Sequence, residues 1–527
     1  MNWATVPPKR VVLVVLHNIT TLTRMLDILP VFDSDFRVQI VATWSGTDPF
    51  THGLREALDE LGIIVIPWKA ARRTRFDLAI SASHHGGLRK LRTPLVILSH
   101  GIGYTKYSPG NRKSEIGNRK SVVDSEIFGL SAEWVVRRGK PIAKALVFSH
   151  REQIDRLASA AVPSAVLAGD PCFDRMRASA GLREHYRHAL DARGRRIVAV
   201  SSTWSEASLL GSGPELIRRL LAELPLDEYR VVAIVHPNVW HWHGPFQVRS
   251  WFAECLRAGL TLVPEVEGWR ASLIAADCVI GDNGSVTAYG AALGKPVLLG
   301  AFPDVPPGSP VDALGRLAPR LDVTRPLRAQ VERAIAEHSA DRYRAVTDLV
   351  TDAPDESAGL LRELCYRLLD LPEPTSDVVL EPIGVHGLDG GRVTACTVSC
   401  EVGEVTRLTR FGVDSQSTED SHIVAQASHA GRDVRRNADI LFRYANEAIA
   451  LDDREIVAVI GDGHARVTSR DGRTWDLSGQ GDPTGFPSIV YAWRAAGLDL
   501  PPRITVETGD IRYELRVSES TPRTASS

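Results

Sequence analysis

The chain has 527 residues, more than the ~250–300 at which one hydrophobic core stops growing, so two or three domains are expected. Lys and Arg number 62 against 64 Asp and Glu, and this balance gives no overall attraction for nucleic acid or an anionic membrane. The six cysteines include no C-x-x-C pair, and the first apolar run is too short for a secretory signal or a membrane span, so a cytoplasmic location is expected.

The first third of the chain alternates predicted strands with predicted helices. "VVLVVL" (11–16) is continuous Val and Leu, typical of a strand covered on both faces, and Thr20 or Thr21 is expected to cap the helix that follows. "FRVQIVATW" predicts a second strand, and "THGLREALDELGIIVIPW" a helix and then a strand. Further strands are predicted in "FDLAIS", "PLVIL", "KALVF" and "SAVLAG". This order predicts a doubly wound α/β domain over residues 1–190.

The alternation then restarts. "RRIVAV", "YRVVAIV", "CVIG" and "PVLLG" predict strands separated by helices, and a helical pattern fills 326–371. We therefore expect a second Rossmann-like domain with closing helices over 191–372.

The composition changes after "LPEPTSD" at 371–377. Short strands are predicted in "VVLEPIGV", "RVTACTVSCEVG", "REIVAVIG", "HARVTSR" and "ITVETGDIRYELRV", and helices in "RRNADILFRYANEAIA" and "FPSIVYAWRAAG". Residues 378–520 are predicted to form an accessory α+β domain, and 521–527 a disordered tail.

Polar residues gather where the predicted strands end, which is where open α/β sheets bind ligands. In the first domain they are His17, His100 and Gly101, with Lys106 in the basic loop that follows. In the second domain they are Ser202, Thr203, Trp204, His236, Asp282, Asn283, Gly284 and Ser285. If the two sheets face each other, these residues line a cleft between the domains.

Two of these loops suit an anion. In "DNGS" a tight turn leads into a helix that Ser285 is expected to cap, and the free N–H groups at a helix start favour phosphate. In "SSTW" hydroxyl and N–H groups follow a strand directly. An ordinary capped β–α turn remains an open alternative for each loop. A Walker loop and a G-x-G-x-x-G fingerprint are both absent from the sequence, so NAD is not expected.

Taken in order, "SHGIGYTK", "LAGDPCFDRM", "SSTWSE", "VHPN" and "DNGSVTAYGAALGKPVLL" resemble the CDP-glycerol glycerophosphotransferases of wall teichoic acid synthesis, which have the GT-B fold. The resemblance covers roughly 95–300. It implies a transferase that takes a glycerophosphate-like or glycosyl group from a nucleotide-diphosphate donor to a hydroxyl acceptor, with no cofactor and no required metal. Two departures are Ser99 before the His-Gly pair and Ser205 where that family has Arg.

The same resemblance implies roles for individual residues. His100 is the expected general base, and an imidazole titrates in the range that this task needs. His236 is expected to contact the donor pyrophosphate, as do Asp282, Gly284 and Ser285 at the helix start. The loop below the nucleotide is expected to contain Ser202, Thr203 and Trp204.

Two other functions stay open at this point. The chain also resembles the non-hydrolysing UDP-GlcNAc 2-epimerases, although it lacks their Glu pair. Alternatively, it is an inactive GT-B scaffold that only binds a nucleotide or a protein partner. Residues 378–520 would then be its interaction module. Contact with a membrane surface is a further alternative, whereas no nucleic acid partner is expected.

The stretch "VHPNVWHWHGPFQVRSW" combines three histidines with three tryptophans. His241 and His243 alone supply two metal ligands, so a structural zinc site is not expected. Trp240 and Trp242 are predicted to pack against the neighbouring helix.

Overall fold

The computed structural model describes residues 6–44, 46, 53–99, 101–108, 126–385, 387–388, 390–412, 420–451 and 454–520. They form two α/β units, each with a parallel sheet, and a C-terminal unit built on a closed barrel of nine strands. The predicted fold class, two Rossmann-like domains plus a C-terminal α+β domain, is confirmed.

The first unit contains a six-stranded sheet in the order β2-β1-β3-β4-β7-β8, with every pair parallel. Its strands, with the small antiparallel pair β5 and β6, are β1 (Arg10–Leu16), β2 (Val38–Trp44), β3 (Leu78–Ser81), β4 (Leu95–Leu98), β5 (Val136–Arg137), β6 (Lys140–Pro141), β7 (Ala145–Phe148) and β8 (Ala165–Leu167). The helices along this part of the chain are α1 (Ile19–Leu26), α2 (Leu54–Glu60), α3 (Trp68–Ala71), α4 (Ala132–Val135), α5 (Arg151–Asp155), α6 (Pro171–Ala178) and α7 (Arg183–Ala189).

Two local predictions for this unit are wrong. Helix α1 is capped by Asn18, whose side chain accepts from the Thr21 N–H, while Thr21 Oγ1 accepts in return from the Asn18 N–H. This reciprocal pair is a capping box, so Thr21 is the third helical residue and not the cap. The apolar stretch after Gly62 makes only one bridge, Val65 with Ala42, because the chain turns into α3 directly afterwards.

The second unit contains a five-stranded parallel sheet in the order β11-β10-β9-β12-β13. Its strands are β9 (Arg196–Ser202), β10 (Tyr229–Val235), β11 (Thr261–Leu262), β12 (Cys278–Gly281) and β13 (Val297–Leu299). The helices are α8 (Leu209–Ser212), α9 (Leu216–Glu223), α10 (Pro237–His243), α11 (Pro245–Trp251), α12 (Ala253–Arg257), α13 (Trp269–Ala275), α14 (Ser285–Ala292), α15 (Pro310–Leu317), α16 (Leu327–Ala336), α17 (Arg344–Asp348) and α18 (Ser357–Leu369).

The chain crosses between the two α/β cores twice. Phe173 and Met176 of α6 pack into the core of the second unit, although α6 follows the last strand of the first sheet. In the opposite direction, Leu361 and Leu364 of α18 pack into the core of the first unit. Because buried apolar contacts on both crossings join the units, the position of one sheet against the other is fixed by packed core and not by loops alone.

The C-terminal unit is a barrel in the order β14-β15-β21-β22-β20-β19-β18-β17-β16, closed by pairing of β14 with β16. Its strands are β14 (Ala395–Glu401), β15 (Thr406–Gly412), β16 (Ser421–Gln426), β17 (Ile440–Tyr444), β18 (Ile456–Gly461), β19 (His464–Ser469), β20 (Thr474–Ser478), β21 (Arg503–Thr508) and β22 (Ile511–Ser520), with helices α19 (Arg432–Asn437) and α20 (Phe486–Ala495). Closure leaves no long free edge in the sheet.

The helix predicted in "RRNADILFRYANEAIA" is wrong, because only α19 is helical and β17 follows it. Ile440 and Phe442 enter the barrel core and Leu441 packs in a separate cluster, so both faces of this strand are buried. The strand predicted in "VVLEPIGV" is also absent from the described residues of that segment. There the Ile383 N–H and carbonyl bond to Ser179 and Tyr186 instead of to a neighbouring strand.

Among the described helices, none has the length and apolar character that crossing a bilayer requires.

Candidate functional site

The carboxyl ends of the central strands of the second sheet lie side by side. Ser202 is in register with Val235 across β9 and β10, and β12 runs along the other side of β9. The residues that follow these three ends therefore share one edge of the sheet, as the sequence predicted. The loop after β4 of the first unit reaches this edge, where the Ile102 N–H donates to Ser285 Oγ at 3.3 Å.

Asp282 is hydrogen-bonded to both loops at this edge of the sheet. It is fully buried, and its carboxylate accepts from the Thr203 N–H, Thr203 Oγ1 and the Leu209 N–H on one oxygen and from the Gly284 N–H on the other. Burial raises the pKa of Asp282, and these four donors act in the opposite direction. Asp282 therefore holds two loops in place and has its acceptor capacity committed inside the protein.

The start of α14 faces the first unit. Its cap is Gly284 and not Ser285, which is already the first helical residue, so the capping role predicted for Ser285 is wrong. A Cβ at Gly284 would lie 2.7 Å from Thr203 Cγ2, so only glycine fits the close approach of the two loops. Asn283 is half-buried in the turn before it. This helix start carries partial positive charge beside the domain boundary.

His236 caps α10 at the end of β10. Its Nδ1 accepts from the Asn238 N–H at 3.0 Å, which leaves the proton of a neutral imidazole on Nε2. The ring is half-buried, so the cap fixes both its orientation and its tautomer. Nε2 is therefore the nitrogen of this ring that can donate a hydrogen bond.

The loop after β9 brings together three predicted residues. Ser202 Oγ is used inside the loop, since it donates to the Thr203 carbonyl and accepts from the Leu210 N–H. Trp204 lies at the surface, with Lys106 Nζ of the first unit 6.0 Å from its ring centroid. The next residue, Ser205, has a φ of 111°, a backbone strain that costs about 1–3 kcal/mol and concentrates at functional loops. The Trp204–Lys106 contact thus spans the two units.

The remaining first-unit candidates are placed differently from one another. His17 is buried, and its Nε2 donates to the His85 carbonyl at 2.9 Å, so it supports the loop after β3. The Gly101 carbonyl accepts from Arg24, and a Cβ at Gly101 would lie 2.6 Å from Ser285 Oγ. His100 lies outside the described residues.

A buried charged network, which the sequence did not reveal, holds this boundary together. Arg24 Nη1 pairs with Asp170 at 2.7 Å, and Arg24 Nη2 donates to the Gly101 carbonyl at 2.9 Å and to the Tyr289 hydroxyl at 3.2 Å. Tyr289 of α14 donates in turn to Asp170 at 2.7 Å. Burial, the largest single effect, lowers the pKa of Arg24, but Asp170, Tyr289 and Cys172 together outweigh it and hold the pKa above its usual range.

A second buried arginine lies nearby. Arg270 of α13 pairs with Asp27 at 2.7 Å, and Asp27 also pairs with Arg175 of α6. The only sequence signals for these networks were a lone arginine in an apolar helix and the Asp170 of "GDPCFD". Neither signal identifies a partner, because the partners are 146 residues apart for Arg24 and 243 for Arg270.

The aromatic stretch after His236 divides into buried and exposed rings. Trp240 is buried and its Nε1 donates to the Val235 carbonyl, which confirms its predicted packing. Trp242 is 70% exposed, so the prediction that it packs against a helix is wrong. Within the described part of the chain, no group of three or more His, Cys, Asp or Glu side chains is arranged to hold a metal ion.

Comparison with known proteins gives similarity only at the level of structure. No family model matches the chain, and no curated protein sequence matches it significantly. Among solved structures, the chain is similar to the wall teichoic acid polymerase TagF, with 12% identity, 69% of this chain and 90% of that chain covered, and a TM-score of 0.43. A glycosyltransferase from Rickettsia africae gives 11% identity, coverage of 68% and 98%, and a TM-score of 0.39. HepE from Anabaena, in complex with UDP and glucose, gives 11% identity, coverage of 69% of this chain and 100% of that chain, and a TM-score of 0.39.

Proposed function

We propose that the protein is a GT-B transferase that moves a glycerophosphate-like or glycosyl group from a nucleotide-diphosphate donor to a hydroxyl acceptor. The observation that carries this proposal is the contact of the first unit's Gly101–Ile102 loop with Ser285 at the start of α14. It sets a helix start suited to phosphate against the loop that contains the predicted base, at the carboxyl edges of two parallel sheets.

The donor diphosphate is assigned to the second unit. The N–H groups at the start of α14 and the Nε2 proton of His236 would stabilise the charge that develops on the leaving group. Thr203 and Trp204 would lie below the nucleoside, with Asp282 keeping their loop in register with α14. Because these groups supply positive potential, we propose that no metal ion and no cofactor is required.

The acceptor hydroxyl is assigned to the first unit, with His100 as its base. The acceptor oxygen would form a bond to the β-phosphorus or to the sugar carbon of the donor, and His100 would take the hydroxyl proton. The bond that breaks leaves a nucleoside monophosphate in the first case and a nucleoside diphosphate in the second. The released nucleotide therefore distinguishes the two reactions.

The test is incubation of the purified chain with CDP-glycerol, UDP-sugars and GDP-sugars, with detection of released CMP or nucleoside diphosphate. Turnover with one donor class is expected. His100→Ala should abolish it and leave nucleotide binding intact. Full activity of His100→Ala, or its failure to bind nucleotide when correctly folded, would contradict the assigned roles.

A nucleotide-binding scaffold without activity is the second candidate, and one observation favours it. Ser285 Oγ already accepts a hydrogen bond from the Ile102 N–H, and Gly101 is so near that a Cβ there would lie 2.6 Å from the same oxygen. The first-unit loop therefore lies directly over the helix start. Tight nucleotide binding without turnover of any donor would support the scaffold and reject the transferase.

A further inference from the structure

The residues of the second unit that lie at the donor edge supply hydrogen-bond donors but no lysine or arginine. They are Ser202, Thr203, Trp204, His236, Asp282, Asn283, Gly284 and Ser285. The one ionised group expected among them is the carboxylate of Asp282, which has the same sign of charge as a phosphate. A diphosphate is anionic, and cationic side chains are its strongest hydrogen-bond partners. A cation for this edge therefore has to come from another part of the chain.

Lys106 of the first unit reaches the same edge. Its Nζ lies 6.0 Å from the centroid of the Trp204 ring, which is within the range of a cation–π contact. Trp204 directly follows Thr203, whose N–H and hydroxyl donate to Asp282. Asp282 also accepts from the Gly284 N–H at the start of α14. The ammonium group thus lies beside the loop that Asp282 ties to the helix start.

The backbone at Lys106 is bonded on both sides of the domain boundary. On the first unit, its carbonyl accepts from the Phe128 N–H at 3.0 Å. The hydroxyl of the next residue, Tyr107, donates to the Val305 carbonyl of the second unit at 3.4 Å. The side chain of Lys106 is exposed, and its flexible stem lets the ammonium turn from the Trp204 ring toward a bound phosphate.

Two exposed carboxylates lie along the chain close to these contacts. Glu206 is two residues after Trp204, and Asp304 directly precedes Val305. Both would repel a diphosphate, although water and salt weaken the effect of exposed charges. A cation at this point of the edge offsets that repulsion.

Arg24 and Arg320 are further cations near the boundary, but each has another partner. Arg24 is buried and pairs with Asp170 at 2.7 Å. Arg320, bridged to the end of β13, donates to the Gly315 carbonyl at 3.3 Å. Of the three cations, Lys106 is the one whose charge lies against the donor loop.

We propose that Lys106 binds the diphosphate of the donor and is supplied by the first unit across the domain boundary. The proposal rests on the proposed function, because it adds a residue to the donor site assigned there. An ammonium group has three donors, so Lys106 can contact phosphate oxygens while its aliphatic stem stays near the Trp204 ring. The donor site would then be built from both units.

The test is isothermal titration of the full chain and its Lys106 variants with CDP, UDP and GDP. Lys106→Gln should bind the nucleotide that the wild type prefers about tenfold more weakly, the value of a hydrogen bond to a charged group. Lys106→Arg keeps the charge and should recover most of the affinity. Added salt should weaken binding to the wild type more than binding to Lys106→Gln, because salt screens the charge that this variant lacks. A purely structural defect would change neither the salt dependence nor the response to arginine.

The matched control is Lys144→Gln. Lys144 is exposed and directly precedes β7, at the opposite end of the first sheet from the candidate site, so this variant should bind as the wild type does. Arg320→Gln should also bind normally. Since the altered side chains are exposed, the thermal midpoint of each variant without nucleotide should stay unchanged.

The outcomes separate this proposal from the transferase activity. Nucleotide binding without turnover of any donor would reject the transferase, and the variants would still decide the role of Lys106. Turnover by the wild type, with unchanged nucleotide affinity in Lys106→Gln, would overturn the role of Lys106 alone. A loss of affinity in Arg320→Gln in place of Lys106→Gln would overturn it as well. Failure of the wild type to bind any of the three nucleotides would overturn both proposals.

Discussion

At the scale of single residues, side chains of the site are held by hydrogen bonds inside the protein before any ligand arrives. Asp282 accepts from four donors, His236 caps a helix through Nδ1, and Ser202 is used within its own loop. Such preorganisation means that a substitution changes two things, the local structure and the contact with ligand. Variants that preserve one and remove the other are therefore the informative ones.

His236→Asn separates capping from ligand contact. An asparagine oxygen can accept from the Asn238 N–H as Nδ1 does, so the cap and the stability should be retained. The Nε2 donor is lost, and nucleotide affinity should fall by about tenfold to one hundredfold, the value of a hydrogen bond to a charged group. Isothermal titration with the nucleotide that the donor panel identifies measures this change. His243→Asn is the control and should bind normally; equal loss in both variants would refute the assignment of His236.

Gly284→Ala tests the close approach between the two loops. The new Cβ would lie 2.7 Å from Thr203 Cγ2, and overpacking of this kind costs about 1–3 kcal/mol. The unfolding midpoint and nucleotide affinity should both fall. Thr203→Ser removes that methyl group and keeps the hydroxyl that donates to Asp282. The double variant should recover most of both losses in thermal shift and titration, and no recovery would show that another contact requires glycine.

At the scale of elements, α1 and α14 are joined by the buried Arg24–Asp170–Tyr289 network. The Arg24–Asp170 ion pair stabilises the boundary between the units only while both partners are present, because removing one leaves the other as an uncompensated buried charge. The network also holds the Gly101 carbonyl beside α14, which links the geometry of the first-unit loop to the packing of a helix far from it in sequence.

Arg24→Met should lower the free energy of unfolding by about 3–5 kcal/mol, as expected when one member of a buried ion pair is removed. Adding Asp170→Asn should recover part of this loss, because the remaining carboxylate charge is removed while an acceptor for the α6 cap is kept. Urea unfolding measures both. Arg177→Met is the control, since its pair with Asp355 is exposed and should contribute less than about 1 kcal/mol. Equal effects at Arg24 and Arg177 would contradict this account.

In the barrel, strand β16 contains His422, which is buried in its neutral form. Burial lowers the pKa of His422 from 6.5 to about 4, and its ring lies 4.4 Å from that of Tyr491. Because the unfolded chain binds the proton more readily, stability falls as the pH drops from about 6.5 to about 4, by roughly 3 kcal/mol from this group. Below pH 4 both states are protonated and the contribution stays constant.

His422→Phe keeps a ring beside Tyr491 and removes the titrating group. Its stability should therefore decline less than that of the wild type between pH 6.5 and pH 4, with the difference appearing in thermal unfolding followed at several pH values. His464→Phe, at an exposed position on β19, is the control and should follow the wild type. A pH profile of His422→Phe parallel to the wild type would contradict the neutral buried state.

At the scale of the whole molecule, the barrel docks on the edge of the second sheet opposite to the candidate site. Leu226, just before β10, packs into the barrel core, and Arg410 of β15 pairs with Asp227 and Asp482. Both Leu226 and Asp227 precede the strand, whereas His236 follows it. A strand of seven residues is about 20 Å long, so Leu226 and Asp227, where the described part of the barrel contacts the second unit, lie about that far from the donor edge.

Arg410→Met should therefore destabilise the barrel without affecting ligand binding. Removing this buried guanidinium leaves Asp227 and Asp482 without their partner, and calorimetry should show a lowered barrel transition. Nucleotide affinity should stay within about twofold, as expected for sites this far apart. A large loss of affinity with an unchanged barrel transition would indicate that the barrel contributes to the site.

Predicting the candidate site from the sequence worked where local rules decide position. Residues that follow parallel strands must meet at one edge, so Thr203, His236 and Asp282 could be grouped without knowing their contacts. Their individual roles could not be read in this way. In the structure Ser202 bonds within its own loop, whereas Asp282 also accepts from Thr203 and Leu209 of the neighbouring loop. A buried hydroxyl or carboxylate accepts from the nearest N–H groups, and how near those groups are depends on how the two loops pack.

The two parallel sheets could be predicted from the chain alone, since continuous Val and Leu runs alternating with amphipathic helices have few other solutions. The features that join the units appear only in the folded molecule: the crossing of α6 and α18 between cores, the Arg24–Asp170–Tyr289 network, and the closure of nine strands into a barrel. One cause underlies all three. Local propensity acts over a few neighbouring residues, whereas these features are contacts between residues far apart in the chain, and "ILFRY" became a strand because partners on both sides buried it.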